Sequence, residues 1–228
     1  MMKISGYFFS LLLLCSVASA YAQDSIKHDI AFMHGWRLGV DVSRLALPLL
    51  YDDGRVGMEF TLDKQISRNG FVTAEAGALR MDSKEPGYTY KLDGMYLRLG
   101  YDRNIIRFRE IGLRDVVYVG MRYGVARFNH DLSDIIIPPG YWEGGAGGSL
   151  KKDGLMSHWI EAVVGTKVEL MRNFYLGAAL RGKIRIVAPD DDYVEPILVP
   201  GYGKGNKGLV LSFSYTLLYT FDPSGKNR

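Results

Sequence analysis

The chain has 228 residues, 47% of them hydrophobic, and 28 lysines and arginines against 25 aspartates and glutamates, a formal charge of +3. That length permits one sizeable domain, and a near balance of charge with no Lys/Arg run gives no footing for nucleic acid. Beyond an N-terminal run, nothing approaches the ~18 unbroken apolar residues of a membrane helix, whereas 27 glycines and 15 tyrosines suit a barrel that turns only every second residue to lipid.

The N-terminal run has Lys3 in a short basic region, an apolar core from Tyr7 to Val17 and the A-x-A pattern Ala20-Tyr21-Ala22. Residues 1–22 therefore read as a signal peptide, with the mature chain expected to start at Gln23. The signal removes Lys3 and no acid, leaving 27 basic against 25 acidic side chains, or +2. Cys15, the one cysteine, follows Leu14 rather than a small residue, which argues against lipidation there. It leaves with the signal, so the mature chain is expected to hold no thiol chemistry. Residues 23–34 read as a periplasmic lead-in, 35–221 as the barrel and 222–228 as a tail.

From residue 36 the chain alternates. The first predicted strand sets Trp36, Leu38, Val40 and Val42 against Arg37, Gly39, Asp41 and Ser43, a period of two that gives a strand one apolar and one polar neighbour. Pro48 and Asp52-Asp53-Gly54 exclude a continuing strand, and Leu45–Tyr51 fits a short helix at the rim. Strand two turns Met58, Phe60 and Leu62 outward and Glu59, Thr61 and Asp63 inward. After Ser67-Arg68-Asn69, strand three turns Val72, Ala74, Ala76 and Ala78 outward, with Thr73, Glu75 and Gly77 inward. A loop at 82–87 leads to strand four, with Met95, Leu97, Leu99 and Tyr101 outward and Tyr96, Arg98, Gly100 and Asp102 inward. The connection 103–114 fits one amphipathic helical turn. Strand five has Val117, Val119, Met121, Tyr123 and Val125 outward, and Tyr118, Gly120, Arg122 and Gly124 inward.

The longest loop, 131–156, holds Pro138-Pro139 and a GGAGG run. The most informative stretch follows, Ser157 to Val187. Ile160, Ala162, Val164, Thr166, Val168 and Leu170 share one parity, against Glu161, Gly165, Lys167 and Glu169, with Val163 the exception. After Met171-Arg172-Asn173 the even positions remain apolar through Ile186, opposite Arg181, Lys183 and Arg185. A two-residue loop would switch parity, so a three-residue loop is expected, with Asn173 in the left-handed position. Each arm suits a tilted transmembrane strand of about 9–11 residues. After a loop at 188–207, all seven odd positions from Leu209 to Phe221 are Leu, Phe or Tyr.

Eight strands result, joined by alternating long and short connections. The long ones follow strands one, three, five and seven, as in single-chain outer-membrane barrels. The fold class is thus an all-β, eight-stranded antiparallel transmembrane β-barrel behind a signal peptide. The segments GWRLGVDVSR, VYVGMRYGVARF, HWIEAVVGTKVELMRNFYLGAALR and VPGYGKGNKG resemble those of small outer-membrane barrels of Bacteroidota, a family built on a domain of unknown function. The resemblance implies fold and outer-membrane location, and no activity or site residue.

Chemistry is expected in the lumen. Seven inward bases (Arg37, Arg98, Arg122, Lys167, Arg181, Lys183, Arg185) face seven inward acids (Asp41, Glu59, Asp63, Glu75, Asp102, Glu161, Glu169). An eight-stranded barrel is just wide enough for side chains to fill it, and breaking a buried ion pair costs about 3–5 kcal/mol, so balance favours a salt-bridged plug. His28 and His34 fall in the lead-in. His130 and His158, near Ser157, Asp131 and Asp134, are the weak alternative, a rim hydrolase or metal site. Trp36, Trp159, Tyr101, Tyr175 and Tyr219 read as interfacial girdles, and GGAGG lacks the features of a phosphate loop.

The expected function is a non-enzymatic outer-membrane barrel, without cofactor or metal, in structural, adhesive or partner-binding roles. A rim-site enzyme, hydrolase or lipid-modifying, and a narrow solute channel are the alternatives. The expected partners are outer-membrane lipid, the barrel assembly machinery, and an extracellular ligand or protein at loops 131–156 and 188–207.

Overall fold

The computed structural model describes residues 35–44, 54–106, 114–135, 148–189 and 195–221. The signal, the lead-in, the Leu45–Tyr51 segment, most of the 103–114 connection, the Pro138-Pro139 stretch and the C-terminal tail lie outside them. In chain order the strands are β1 (Trp36–Asp41), β2 (Arg55–Gln65), β3 (Gly70–Glu85), β4 (Tyr88–Asn104), β5 (Val116–Ser133), β6 (Leu150–Met171), β7 (Phe174–Val187), β8 (Leu198–Val199), β9 (Gly203–Lys204) and β10 (Leu209–Phe221). Eight close a barrel in the order β1-β10-β7-β6-β5-β4-β3-β2, while β8 and β9 pair only with each other. The closing seam is antiparallel, from Trp36↔Phe221 to Asp41↔Thr216.

Side-chain parity determines which face is which. Along β10, Leu209, Leu211, Phe213, Tyr215, Tyr219 and Phe221 are exposed, and Ser214, Leu218 and Thr220 are buried. On β2, Met58 and Phe60 are exposed, whereas Glu59, Thr61 and Asp63 are buried. A water-soluble barrel would bury its apolar parity; here the apolar parity faces out and the charged parity faces in. Val163, the apolar exception among the inward positions of 160–170, is buried in a cluster with Phe71, Val116, Tyr118 and Ala179.

At one end two of the three connections are short. Ile66 and Ser67 both donate their N–H to Gly70 O (2.9 and 3.2 Å), and Gln65 Nε2 bonds Ser67 O and Arg68 O (3.0 and 2.9 Å). The β6–β7 turn has Asn173 at φ 66°, the expected left-handed residue, and its N–H donates to the Glu169 carboxylate (2.8 Å). The ladder closes on Met171↔Phe174 after a register shift between Glu169 and Met171. Parity is therefore preserved by a bulge plus a two-residue loop, in place of the plain three-residue loop that the sequence suggests.

The other end departs from expectation. The 82–87 loop is largely strand: β3 and β4 pair as far as Glu85↔Tyr88, leaving Pro86-Gly87 as the turn, with Gly87 at φ 113°. Within 131–156, Asp131–Ser133 belongs to β5 and 150–156 to β6, paired from His130↔Lys152 to Leu132↔Leu150. β6 thereby reaches 22 residues, about twice a membrane-spanning strand. The 188–207 connection is not an open loop in its described part. Residues 195–207 fold back into the barrel mouth, where Leu198, Val199 and Tyr202 are buried against Leu79, Tyr90, Leu92, Tyr96, Phe128 and Trp159. Two expected girdle residues also lie inside: Trp159 and Tyr175 are both fully buried.

Candidate functional site

Three layers fill the lumen. Nearest the short turns, the apolar cluster of Phe71 and Tyr118 closes the floor. At the opposite end, the β8–β9 hairpin and its aromatic neighbours close the top. Between them lies the charge network.

Its lower half rests on β1, β2, β4, β5 and β6. Arg37 Nε pairs with Asp63 (2.6 Å), and its guanidinium stacks on Phe71 and Tyr175 (4.8 and 5.5 Å). Lys167 pairs with Asp63, lies 3.8 Å from Asp102 and sits over the Tyr118 ring. Arg122 grips Asp102 with both terminal nitrogens (2.6 and 2.9 Å). Forked contacts of this kind are the strong form of the charge-assisted hydrogen bond. Arg122 Nε also reaches Glu75 (3.6 Å) and joins the two halves.

In the upper half, Arg98 sits among three carboxylates from three strands: Glu59, Glu75 (2.9 Å) and Glu161 (3.3 Å). Arg181 bonds Glu75 through both terminal nitrogens (2.8 and 2.9 Å) and Glu161 at 3.2 Å. Tyr96 donates its hydroxyl to Glu59, Trp159 Nε1 donates to Glu161 (2.7 Å), and Arg181 Nε donates to Ser214 Oγ (3.3 Å). Gly124 leaves room for the Trp159 indole, which lies against the position a Cβ would occupy.

Twelve of the fourteen inward charges expected from parity are buried here: Arg37, Asp41, Glu59, Asp63, Glu75, Arg98, Asp102, Arg122, Glu161, Lys167, Arg181 and Lys183. Two are placed elsewhere. Glu169 caps the β6–β7 turn, and half-buried Arg185 donates to Gly205 O and stacks on Tyr202 (6.0 Å). Both have inward parity but lie towards strand ends and make no ion pair with the network among the described residues. Lys183 is buried, yet its Nζ bonds the carbonyls of Gly201 (2.7 Å) and Tyr202 (3.2 Å) and so pins the hairpin. Sequence reasoning missed Arg44, which reaches back from beyond β1 to Glu59 (2.7 Å) and Asp41 (3.7 Å). Its signal was the i, i+3 spacing from Asp41.

The rim histidines do not converge. His130 faces inward, buried beside the Tyr90 ring (5.9 Å, T-shaped). His158 lies across from Val125 on the outward parity and bonds the exposed Tyr123 hydroxyl (2.8 Å). Ser157 Oγ donates to Val187 O (3.0 Å), and the Asp134 carboxylate accepts from Thr89 (2.8 Å). The expected nucleophile–base constellation is therefore dispersed over both faces of the wall. Among the described residues no group of three His, Cys, Asp or Glu is placed to hold a metal ion.

Residues 2–223 match the family model described as a domain of unknown function, DUF6048. The chain belongs to the DUF6048 family. No curated protein matches this DUF6048 chain. Its fold is similar to solved barrels at low identity. Ail, the attachment invasion locus protein of Yersinia pestis, is 8% identical over 83% of this chain and 100% of its own, with a TM-score of 0.44. A major outer membrane protein from Thermus thermophilus is 15% identical over 82% and 98% (TM-score 0.43). The N-terminal barrel domain of Pseudomonas aeruginosa OprF is 12% identical over 84% and 100% (TM-score 0.39). The DUF6048 barrel itself is read from its own strand register, not from these likenesses.

Proposed function

We propose that this protein is an outer-membrane barrel with a closed lumen, a non-enzymatic scaffold that carries its elongated β3–β6 hairpins beyond the membrane for structural, adhesive or partner-binding work. The observation that carries the reading is the pairing of an apolar exterior with a balanced interior. Six buried carboxylates (Asp41, Glu59, Asp63, Glu75, Asp102, Glu161) meet six buried cations (Arg37, Arg98, Arg122, Lys167, Arg181, Lys183). Closed barrels cross lipid because every strand finds a partner, and exposed Leu38, Leu99, Met121, Val164, Leu180 and Phe213 form the band that lipid requires. In this orientation the short turns face the periplasm and the long hairpins face outward. Residues 1–22 serve as the export signal, and the barrel assembly machinery inserts the mature chain.

A narrow channel is the second reading, and the ion-paired midsection speaks against it, since each guanidinium there is bonded to protein carboxylates. Fractionation with carbonate extraction tests the location, and heat-dependent gel mobility tests the folded barrel. Protein that sediments with membranes after carbonate and shifts on boiling is the expected result. Soluble protein would overturn the reading.

A further inference from the structure

The outward face of β2 to β6 is not evenly covered by side chains. Register sets Met58, Ala78, Met95, Arg127 and Met156 side by side in one row across these strands. The next row towards the short turns is Phe60, Ala76, Leu97, Val125 and His158. On β3 both rows hold alanine, between Met58 and Phe60 on β2 and Met95 and Leu97 on β4. Those four bulky side chains are exposed and stand as walls above a floor one methyl high. The result is a groove of about 470 Å³ on the outer wall, whose β5 end is lined by Val125 and Arg127. That size falls within the roughly 300–1,000 Å³ of small-molecule sites. From β2 to β5 it spans three inter-strand spacings, about 14 Å.

Polarity crosses the rows on a diagonal. One row further from the turns, Val56 on β2 is apolar, whereas Arg80, Asp93 and Asn129 on β3 to β5 are polar. In the Arg127 row, β2 to β4 are apolar and the first charge falls on β5. In the row below, β2 to β5 are apolar and the first polar residue is His158 on β6, bonded to the Tyr123 hydroxyl (2.8 Å). A stepped border of this kind is what strands tilted by about 35–45° produce where the lipid-facing band ends. Arg127 thus stands on the border, with the groove on its apolar side. Its guanidinium lies at the outer end of the groove, beside the β5–β6 bulge. There Gly154 donates its N–H to Asn129 Oδ1 (2.7 Å), and a Cβ on Gly154 would be 3.9 Å from Arg127 Nη2. A basic side chain can lay its stem on apolar surface and hold its charge at the head-group level. A guanidinium there matches the paired oxygens of a phosphate, and an apolar groove leading away from it fits an acyl chain.

We propose that this groove seats an acyl chain of an anionic, phosphate-bearing lipid from the surrounding membrane, with the head group on Arg127. The inference rests on the membrane-spanning reading, and the test separates the two. Full-length mature protein is reconstituted with equal phosphatidylglycerol and phosphatidylcholine, extracted in neutral detergent, and its retained lipids are counted by native mass spectrometry. Phosphatidylglycerol should be retained in preference. Arg127→Gln should lower that preference about fivefold, the effect of one basic side chain beside anionic lipid, and Arg127→Lys should keep most of it. Ala76→Leu/Ala78→Leu, on exposed positions, fills the groove and should reduce retention of both lipids. Heat-dependent gel mobility confirms that each variant is folded; should the filled variant not fold, Arg127→Gln against Arg127→Lys decides alone. Millimolar inorganic phosphate should leave the lipid bound. A preference unchanged in Arg127→Gln, retention unchanged in the filled groove, displacement by inorganic phosphate, or a dimer that takes the groove in place of lipid would each overturn the lipid site while leaving the barrel's location intact. Release of the unmodified protein by carbonate would overturn both.

Discussion

Arg122 shows how much a single lumen residue carries. Its forked bond to Asp102 and its approach to Glu75 hold two carboxylates away from water. Arg122→Leu should therefore lower stability by about 3–5 kcal/mol, the cost of breaking a buried pair. Adding Asp102→Asn should recover part of that loss in a double-mutant cycle, though only part, because Lys167 and Thr73 also face Asp102. Urea midpoints of the folded barrel in detergent measure both effects. On the other parity, Phe213→Arg or Met121→Arg should cost about 2–4 kcal/mol if these residues meet lipid near the midplane, while Ser214→Ala removes one long hydrogen bond to Arg181 and should cost about 1 kcal/mol. A refolding titration that ranked Ser214→Ala beside Phe213→Arg would contradict the assignment of faces. Parity makes these faces legible in the sequence. It reports direction and not depth, which is why it assigns Glu169 and Arg185 to a network they do not reach. Trp159 and Tyr175 differ from expectation for another reason. Their inward parity is visible, but their position near strand ends suggests a girdle, and the structure follows parity.

At the scale of elements, the turns and the folded-back hairpin obey local backbone rules. Asn173 holds a left-handed conformation that costs most side chains about 1–2 kcal/mol. Asn173→Gly should be neutral or slightly stabilising, and Asn173→Val destabilising by at least that amount, read from thermal unfolding of the two variants. The hairpin's constraint is Gly201, at φ 75° and packed against the Tyr96 ring so closely that a Cβ would overlap it. Gly201→Ala should lift the hairpin off its seat. The Tyr202 N–H, bonded to Val199 O at 3.1 Å, should then exchange with solvent at least tenfold faster, the effect of about 1.4 kcal/mol of local opening. Unchanged exchange would mean the hairpin is held mainly by Lys183 and Arg185. The prolines and glycines of 188–207 mark a non-strand connection to β10. They cannot reveal its direction, because turn chemistry is the same whether a loop points into solvent or into a lumen. Burial of Leu198, Val199 and Tyr202 decides it. The 82–87 and 131–156 segments read as loops because Gly, Pro and charge interrupt the apolar alternation. Outside a lipid band, strands need no such alternation, so β3 to β6 continue through polar sequence.

At the scale of the whole molecule, the apolar exterior and the charged interior are two sides of one arrangement. Period-two alternation over eight strands allows a barrel to face lipid, and the inward parity must then neutralise itself in a space shielded at both ends. The lower apolar cluster and the upper aromatic cluster flank the network along the axis. Strand count, faces and the near balance of lumen charge are legible from sequence; the folded-back hairpin is not, since it comes from a connection and not from a strand. Planar-bilayer recording reads the closed lumen without an intermediary. The unmodified protein, confirmed as inserted and folded, should give no steady current, and Lys183→Met combined with removal of residues 197–205 should still give none, because the ion-paired midsection remains. Steady, ion-selective currents from the unmodified protein would mean that the lumen is open.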